Sequence, residues 1–178
     1  FGPTVLNLAG VDVPETMDGK PFLGEGVTAR DLIRRDEAFG YADRFDEKYD
    51  LVRTFRKGKY KYIRNYQPFN FDGLFNDYRY KMLAYREWSA MYQAGELNAV
   101  QSQFFEPREA EALYDIEKDP HETNNLADDP KSASVLRDLR QRLTNQVKEI
   151  SDLSFLPEPA MLSEALSNPV QFGRENQD

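Results

Sequence analysis

The run from Leu51 to Tyr66, LVRTFRKGKYKYIRNY, constrains the fold more than any other part of the chain. β-branched and aromatic residues recur on both sides of Lys57, Gly58 and Lys59. Gly58 can adopt the positive φ that a tight turn requires. The run therefore predicts a β-hairpin.

The most regular helical pattern follows Asp129 and Pro130, which we expect to cap and to open the helix. Its apolar residues recur at steps of three or four, with charged residues on the opposite face: Leu136, Leu139, Leu143, Val147 and Ile150. Such a helix can cover one face of a sheet. With the hairpin and a short strand predicted over 112–116, the pattern favours an α+β fold.

Helix-breaking residues and helical spacing predict the secondary structure of the rest of the chain. The segment 3–9 predicts the end of a helix that stops at Gly10, and Pro and Gly predict an extended loop over 11–26. An apolar stripe predicts a helix over 77–94 that packs into the core: Met82, Tyr85, Trp88 and Tyr92. After Ser151 we expect an irregular tail with one helical turn over 160–166.

Composition excludes several classes of function. The net charge of −8 argues against general nucleic-acid binding, which needs a basic surface. The absence of Cys removes disulfides and thiolate metal sites. No run approaches the ~20 apolar residues of a membrane helix, so we expect no membrane partner. The opening residues lack a signal peptide and an initiator Met, and we expect the natural N-terminus to lie upstream.

Six cations in the hairpin run form a local basic segment without an acidic residue: Arg53, Arg56, Lys57, Lys59, Lys61 and Arg64. They alternate with aromatic residues. One interpretation is attraction of an anionic partner, either a sulfated glycan or single-stranded nucleic acid. The other, which we favour, is a solvated strand face that pairs with acidic neighbours.

Two further segments have both a functional and a structural interpretation. The charged segment 43–50 contains Arg44, which could clamp a sulfate group, but an ordinary charged loop has the same composition. His121 and Asp119 could hold a metal ion, although a lone His is more often a turn residue. Pro120 and Leu126 replace the Gly and Glu of a calcium-binding EF-hand loop, which excludes that motif.

Three blocks together resemble the C-terminal region of the sulfatase family. They are GPTVLNLAGVDVPETMDGKPFLG, DRFDEKYDLVRTFRKGKYKYIRNY and ALYDIEKDPHETNNLADDP, in that order. The resemblance implies a small antiparallel sheet of about four strands, covered by a long C-terminal helix and preceded by the end of a larger α/β domain. It assigns 1–26 to the large domain, 27–158 to the C-terminal subdomain with a helical insertion near 71–108, and 159–178 to the tail.

The same resemblance implies a parent protein that hydrolyses sulfate esters or sulfamates of carbohydrates. Family chemistry uses a formylglycine, made from Cys or Ser in a CxPxR-type motif, and a calcium ion. Neither that motif nor its metal ligands occur in these 178 residues. We therefore expect no catalytic or metal-binding residue here and an inactive isolated chain. Arg44 is the one substrate-binding candidate.

The implied partners are a missing N-terminal catalytic domain and a sulfated carbohydrate, and the implied location is the periplasm or outside the cell. Two other interpretations stay open at this point. The chain could be a non-catalytic module that binds an anionic glycan through the hairpin, or a purely structural part of its parent.

Overall fold

The computed structural model describes residues 1–43 and 49–176 of the chain. The chain divides into two compact units, Phe1–Glu37 and Ala38–Asp178. No helix in the described residues is long and apolar enough to cross a membrane.

The first unit contains two short helices joined by a long loop. Helix α1 (Gly2–Leu8) has Pro in its first turn, and α2 (Ala29–Arg34) is capped by the Thr28 side chain. The Asn7 amide donates to the carbonyls of Leu23, at 3.0 Å, and Glu25, at 3.1 Å, so a side chain of the helix holds the loop. The helix end and the extended loop were predicted from the sequence, and both are confirmed.

Large apolar side chains remain exposed in this unit. They include Phe1 at 95%, Val5 at 63%, Leu8 at 61% and Ile33 at 77%. Burial of such groups is the main stabilising contribution to folding, so this unit gains little from its own packing.

The second unit is built on a four-stranded antiparallel sheet with the order β1 (Glu37–Ala42), β2 (Val52–Lys57), β3 (Tyr60–Asn65) and β4 (Glu111–Asp115). Strands β2 and β3 form the predicted hairpin, and Gly58 in its turn has φ 55°. β4 confirms the predicted third strand. The residues of β1 gave no strand prediction; it lies at the sheet edge and is exposed at both ends.

Helix α6 (Ala133–Glu149) covers one face of the sheet and completes the core, which confirms the α+β prediction. The core residues come from both layers: Phe55, Tyr62, Leu113, Leu136, Leu139 and Leu143. Val147 packs partly against them. Ile150 does not, because the helix ends at Glu149 and leaves Ile150 as the C-cap, 46% exposed.

The predicted helix over 77–94 is interrupted, so the prediction of one continuous helix was wrong. Helix α3 (Asp77–Tyr80) ends before Met82, whose ψ of 131° is extended, and α4 (Leu83–Ala94) follows. The Arg86 side chain donates to the carbonyls of Tyr80, at 2.7 Å, and Lys81, at 3.0 Å, and so satisfies backbone acceptors that a continuous helix would use itself.

The aromatic stripe of α4 packs against Phe104 and Phe105 rather than in the sheet core. After α5 (Ala99–Ser102), Phe104 stacks on Trp88 with ring centroids 4.4 Å apart, and Phe105 stacks on Tyr92 at 4.6 Å. Met82 is 43% exposed, so its predicted place in the core was also wrong.

The end of the chain contains more helix than the sequence indicated. α7 (Glu158–Ala160) runs into a π-helical turn, Met161–Ala165, and α8 (Pro169–Glu175) follows. The Asn168 side chain accepts from the backbone N–H of Gln171 at 3.1 Å, an N-cap followed directly by Pro at the first helical position. That combination was present in the sequence and was missed.

Candidate functional site

The most buried cation of the hairpin is Arg53, whose side chain is 1% exposed. Its five N–H donors make five hydrogen bonds: Nε and Nη2 to Asp152 at 2.5 and 2.9 Å, Nη1 and Nη2 to Asp43 at 2.6 and 3.3 Å, and Nη1 to the Val52 carbonyl at 2.8 Å. A buried guanidinium with every donor satisfied is held in one orientation. We call Arg53, Asp43 and Asp152 the arginine knot.

The hydrogen bonds of the knot shift the pKa values of Arg53 and Asp152. Burial opposes the charge on Arg53, but the hydrogen bonds that it donates to Asp152 and Asp43 outweigh this and raise the pKa of Arg53. Burial likewise opposes ionisation of Asp152, but its hydrogen bonds with Arg53 outweigh this and lower the pKa of Asp152. The contacts between Arg53 and Asp152 therefore favour the charged form of both groups.

Aromatic rings and a hydroxyl enclose the knot. The guanidinium carbon of Arg53 lies 5.8 Å from the ring centroid of Tyr41 and 5.6 Å from that of Phe155. Phe155 also meets Tyr66 edge-on, at 4.7 Å between centroids. The Ser154 hydroxyl donates to Asp43 at 2.9 Å. The segment that follows α6 thus closes over the end of β2.

The predicted substrate-binding residue, Arg44, lies outside the described residues, as do 45–48. Asp43, immediately before this stretch, and Asp50, the second residue after it, are both held by arginines. Asp43 belongs to the knot, and Asp50, 4% exposed, makes a bidentate pair with Arg108 at 2.8 and 2.6 Å. The sequence predicted none of these pairings. Arg53 lies 10 positions from Asp43 and 99 from Asp152, and Arg108 lies 58 from Asp50.

Most of the other hairpin cations have acidic partners. Lys59 pairs with Asp115 at 2.8 Å, Lys61 with Glu122 at 2.7 Å, and Arg64 approaches Glu111 to 3.5 Å. The aromatic residues between them are also engaged: Phe55 and Tyr62 lie in the core, and Tyr60 packs against it. These contacts favour the structural interpretation of the basic run over a platform that binds an anionic polymer.

A groove of about 830 Å³ lies on the sheet face that points away from α6. Its floor is formed by small or β-branched residues of the four strands: Ala42, Val52, Thr54, Ile63 and Ala112. One wall carries the stacked pair of Trp88 and Phe104, and the other is the turn 121–125. Sequence patterns did not indicate this groove, because residues 88–109 and the turn 121–125 come together beside the strands only in the folded chain.

His121 is exposed on the groove wall. The Asp119 carboxylate accepts from the backbone N–H groups of Asn124 and Thr123, both at 2.8 Å. The hydrogen bond from Asn124 contributes most to lowering the pKa of Asp119. Asp119 therefore stabilises the turn. In the part of the chain that the structure describes, no three His, Asp or Glu side chains group as metal ligands would.

No family model matches the chain. Among characterised proteins, the ulvan-active sulfatase of Formosa agariphila is 35% identical over 164 residues, which is 92% of this chain and 27% of that protein. The chain is a sulfatase C-terminal region. The human N-sulphoglucosamine sulphohydrolase is 42% identical over 59 residues, 33% of this chain and 12% of that protein.

Solved structures share the sulfatase fold of this region. A structure of BT4656 in complex with its substrate D-glucosamine-2-N,6-O-disulfate has a TM-score of 0.54 at 20% identity, covering 88% of this chain and 25% of that protein. A structure of BT1596, a 2-O GAG sulfatase, has a TM-score of 0.51 at 20% identity, covering 85% and 24%. The chain thus spans about a quarter of the length of the sulfatases that it matches over most of its own length.

Proposed function

We propose that this sulfatase region belongs to a protein that hydrolyses sulfate esters or sulfamates of carbohydrates. The observation that carries the proposal is the 35% identity to a sulfatase over 92% of the chain. Two other similar proteins also act on or bind sulfated sugars: one is an N-sulphoglucosamine sulphohydrolase, and the other is in complex with a sulfated glucosamine as its substrate.

The reactive groups that sulfatase chemistry needs would come from the rest of the parent protein. A formylglycine supplies the nucleophile and a calcium ion polarises the sulfate group in the family. The residues present here do not fit those groups, because the chain has no Cys and no SxPxR sequence. We expect the 178-residue chain to release no sulfate by itself, and the catalytic domain to be its principal partner.

The contribution we propose for this chain is one wall of the substrate cleft, with Arg44 contacting the sulfate or a neighbouring sugar group. Two contacts of described residues support this. The arginine knot holds Asp43, immediately before Arg44, and Arg108 holds Asp50. Fixed neighbours reduce the conformational entropy that a binding residue loses.

Sulfate release by the full-length protein from sulfated oligosaccharides tests this proposal. Arg44→Ala should lower kcat/KM by roughly tenfold or more, since a charge-assisted contact to an anion is lost. Arg137→Ala, which removes an exposed arginine on α6, is the matched control and should leave turnover unchanged. Equal turnover in both variants would favour the purely structural role for this region.

The alternative, a glycan-binding module that acts through the hairpin, predicts salt-sensitive binding of sulfated oligosaccharides by the 178-residue chain. Lys59, Lys61 and Arg64 are already paired with acidic residues, which makes this alternative less favoured than the cleft role.

For location, we propose the periplasm or the cell exterior, on the likeness to sulfatases. Fractionation of the source organism's cells would test that assignment.

A further inference from the structure

Phe75 is an exposed aromatic residue whose ring is nevertheless held in place. It is 65% exposed. Its ring stacks on that of Tyr80, with centroids 5.5 Å apart and an angle of 13° between the planes. The Tyr80 hydroxyl donates to the Gly73 carbonyl at 2.6 Å, which fixes the supporting ring. Tyr80 covers one face of the Phe75 ring, so the exposed surface of Phe75 lies largely on the other face.

The stack continues from Tyr80 into the aromatic cluster around Phe104. The ring centroid of Tyr85 lies 6.4 Å from that of Tyr80 and 6.0 Å from that of Phe104. The guanidinium carbon of Arg79 lies 5.5 Å from the Tyr85 centroid and 5.3 Å from the Phe104 centroid, and such cation–π contacts hold both rings. Because its supports are fixed in advance, Phe75 loses little side-chain entropy when a ligand covers it.

The segment that carries this ring is basic within an acidic chain. Residues 75–86 contain three cations, Arg79, Lys81 and Arg86, and one carboxylate, Asp77, so their net charge is +2 against −8 for the whole chain. Arg79 and Arg86 donate to backbone carbonyls, which hold the guanidinium groups without neutralising them. Lys81 lies 2.9 Å from Asp77, and its side chain is 71% exposed. An anionic ligand is therefore attracted to this segment.

We infer that the Phe75 ring is a stacking site for a sugar ring of a sulfated polysaccharide. The inference rests on the proposed function, which supplies the class of ligand. A pyranose ring presents C–H groups on its faces, and these pack on the electron-rich face of an aromatic ring. Cations of the segment 75–86 then meet sulfate groups of the same polymer. A protein partner is less favoured, because the buried core of a protein interface is depleted of charged residues.

Affinity electrophoresis of the full-length protein measures this contact without requiring turnover. The gel contains dextran sulfate, and the change in mobility with polymer concentration gives the Kd. Phe75→Ala should raise that Kd by roughly fivefold, the effect of one lost stacked ring. Phe69→Ala, the matched control, removes another phenylalanine, 72% exposed, and should leave the Kd unchanged. Equal Kd values for the two variants would overturn the inference.

Two further substitutions of Phe75 separate ring stacking from ordinary apolar packing. Phe75→Tyr keeps the planar ring and should bind dextran sulfate as tightly as the unchanged protein. Phe75→Leu keeps apolar area without a flat face and should show most of the fivefold loss. Unchanged affinity in Phe75→Leu would count against stacking and overturn the inference. Uncharged dextran should retard the protein less than dextran sulfate; equal retardation would overturn the assignment to a sulfated ligand.

A second copy of the chain would give a different result. Sedimentation of the full-length protein should show the same oligomeric state with Phe75 and with Phe75→Ala, and a smaller assembly in the variant would overturn the inference. Failure of the proposed function is also distinguishable. A protein that binds through the ring but releases no sulfate retains the stacking site and loses the enzyme proposal. Sulfate release with equal Kd values for Phe75→Ala and Phe69→Ala does the reverse.

Discussion

The two faces of the sheet differ in what packs against them. On the face under α6, leucines of the helix meet Phe55, Tyr62 and Leu113, and the arginine knot closes one end. On the opposite face, small side chains form the floor of an open groove. The first face is completed by residues of this chain. The second is bordered by Trp88 and Phe104 on one side and by the turn 121–125 on the other, and it is open between them.

This difference indicates that one face of the sheet stabilises the region and the other is available for contacts outside the chain. Folding free energy comes mainly from burial of apolar surface, so the helix face should carry most of the stability of the region. The open face, and the exposed apolar residues of the first unit, then remain available for contacts outside the chain. Three experiments test or refine that comparison.

The largest expected effect is at the centre of the helix face. The Leu139 side chain is 2% exposed. Leu139→Ala should lower the free energy of unfolding by about 3 to 4 kcal/mol, because apolar burial is lost and a cavity is left in the core. Val100→Ala on the groove wall, where the side chain is 53% exposed, should cost less than about 1 kcal/mol. Urea unfolding of the 178-residue chain measures both. Similar losses would contradict the division of tasks.

Breaking the arginine knot should have the next largest effect. Arg53→Ala leaves Asp43 and Asp152 without their cation and should cost roughly 3 kcal/mol, as for other buried pairs that lose one partner. The exposed pair of Arg142 with Asp138 on α6 is the control, and Arg142→Ala should cost less than about 0.5 kcal/mol. A cost for Arg53→Ala as small as the control's would show that the knot does not stabilise the end of the helix face.

A smaller effect is expected from pH. The folded-state pKa of Asp152 lies below its unfolded value, so its contribution to stability is complete above the unfolded pKa and is lost as pH falls through the folded one. Stability should therefore decline from about pH 4 downwards. Asp152→Asn should make that decline shallower, and Asp138→Asn, an exposed control, should not. Denaturant titrations between pH 3 and 6 measure the slopes; an unchanged slope in Asp152→Asn would remove the knot from the acid response.

Local patterns allowed the sheet and helix to be predicted, because neighbours along the chain determine them. Gly58 sets the hairpin turn, and the leucines of α6 repeat at helical spacing. The same reasoning failed at Met82, where Arg86 binds the carbonyls that would continue the helix. A side chain that competes for backbone acceptors leaves no periodic signal.

The role of Arg44, inferred from the charge of its segment, stays a prediction. The contacts of the described residues near it were not predicted. Asp152 lies 99 positions from Arg53, and Asp50 lies 58 from Arg108. Many acidic residues in the sequence could have paired with either arginine. Composition gave no basis for choosing among them.

The sequence by itself determined the hairpin, the long helix, the α+β class and the resemblance to sulfatases, since each depends on short-range spacing or on motif order. Tertiary structure alone decided that Arg53 is buried between Asp43 and Asp152, that most of the hairpin's other cations are paired, and that one sheet face opens as a groove. The physical reason is that burial and charge pairing depend on which distant residues meet, and that is fixed only when the layers pack.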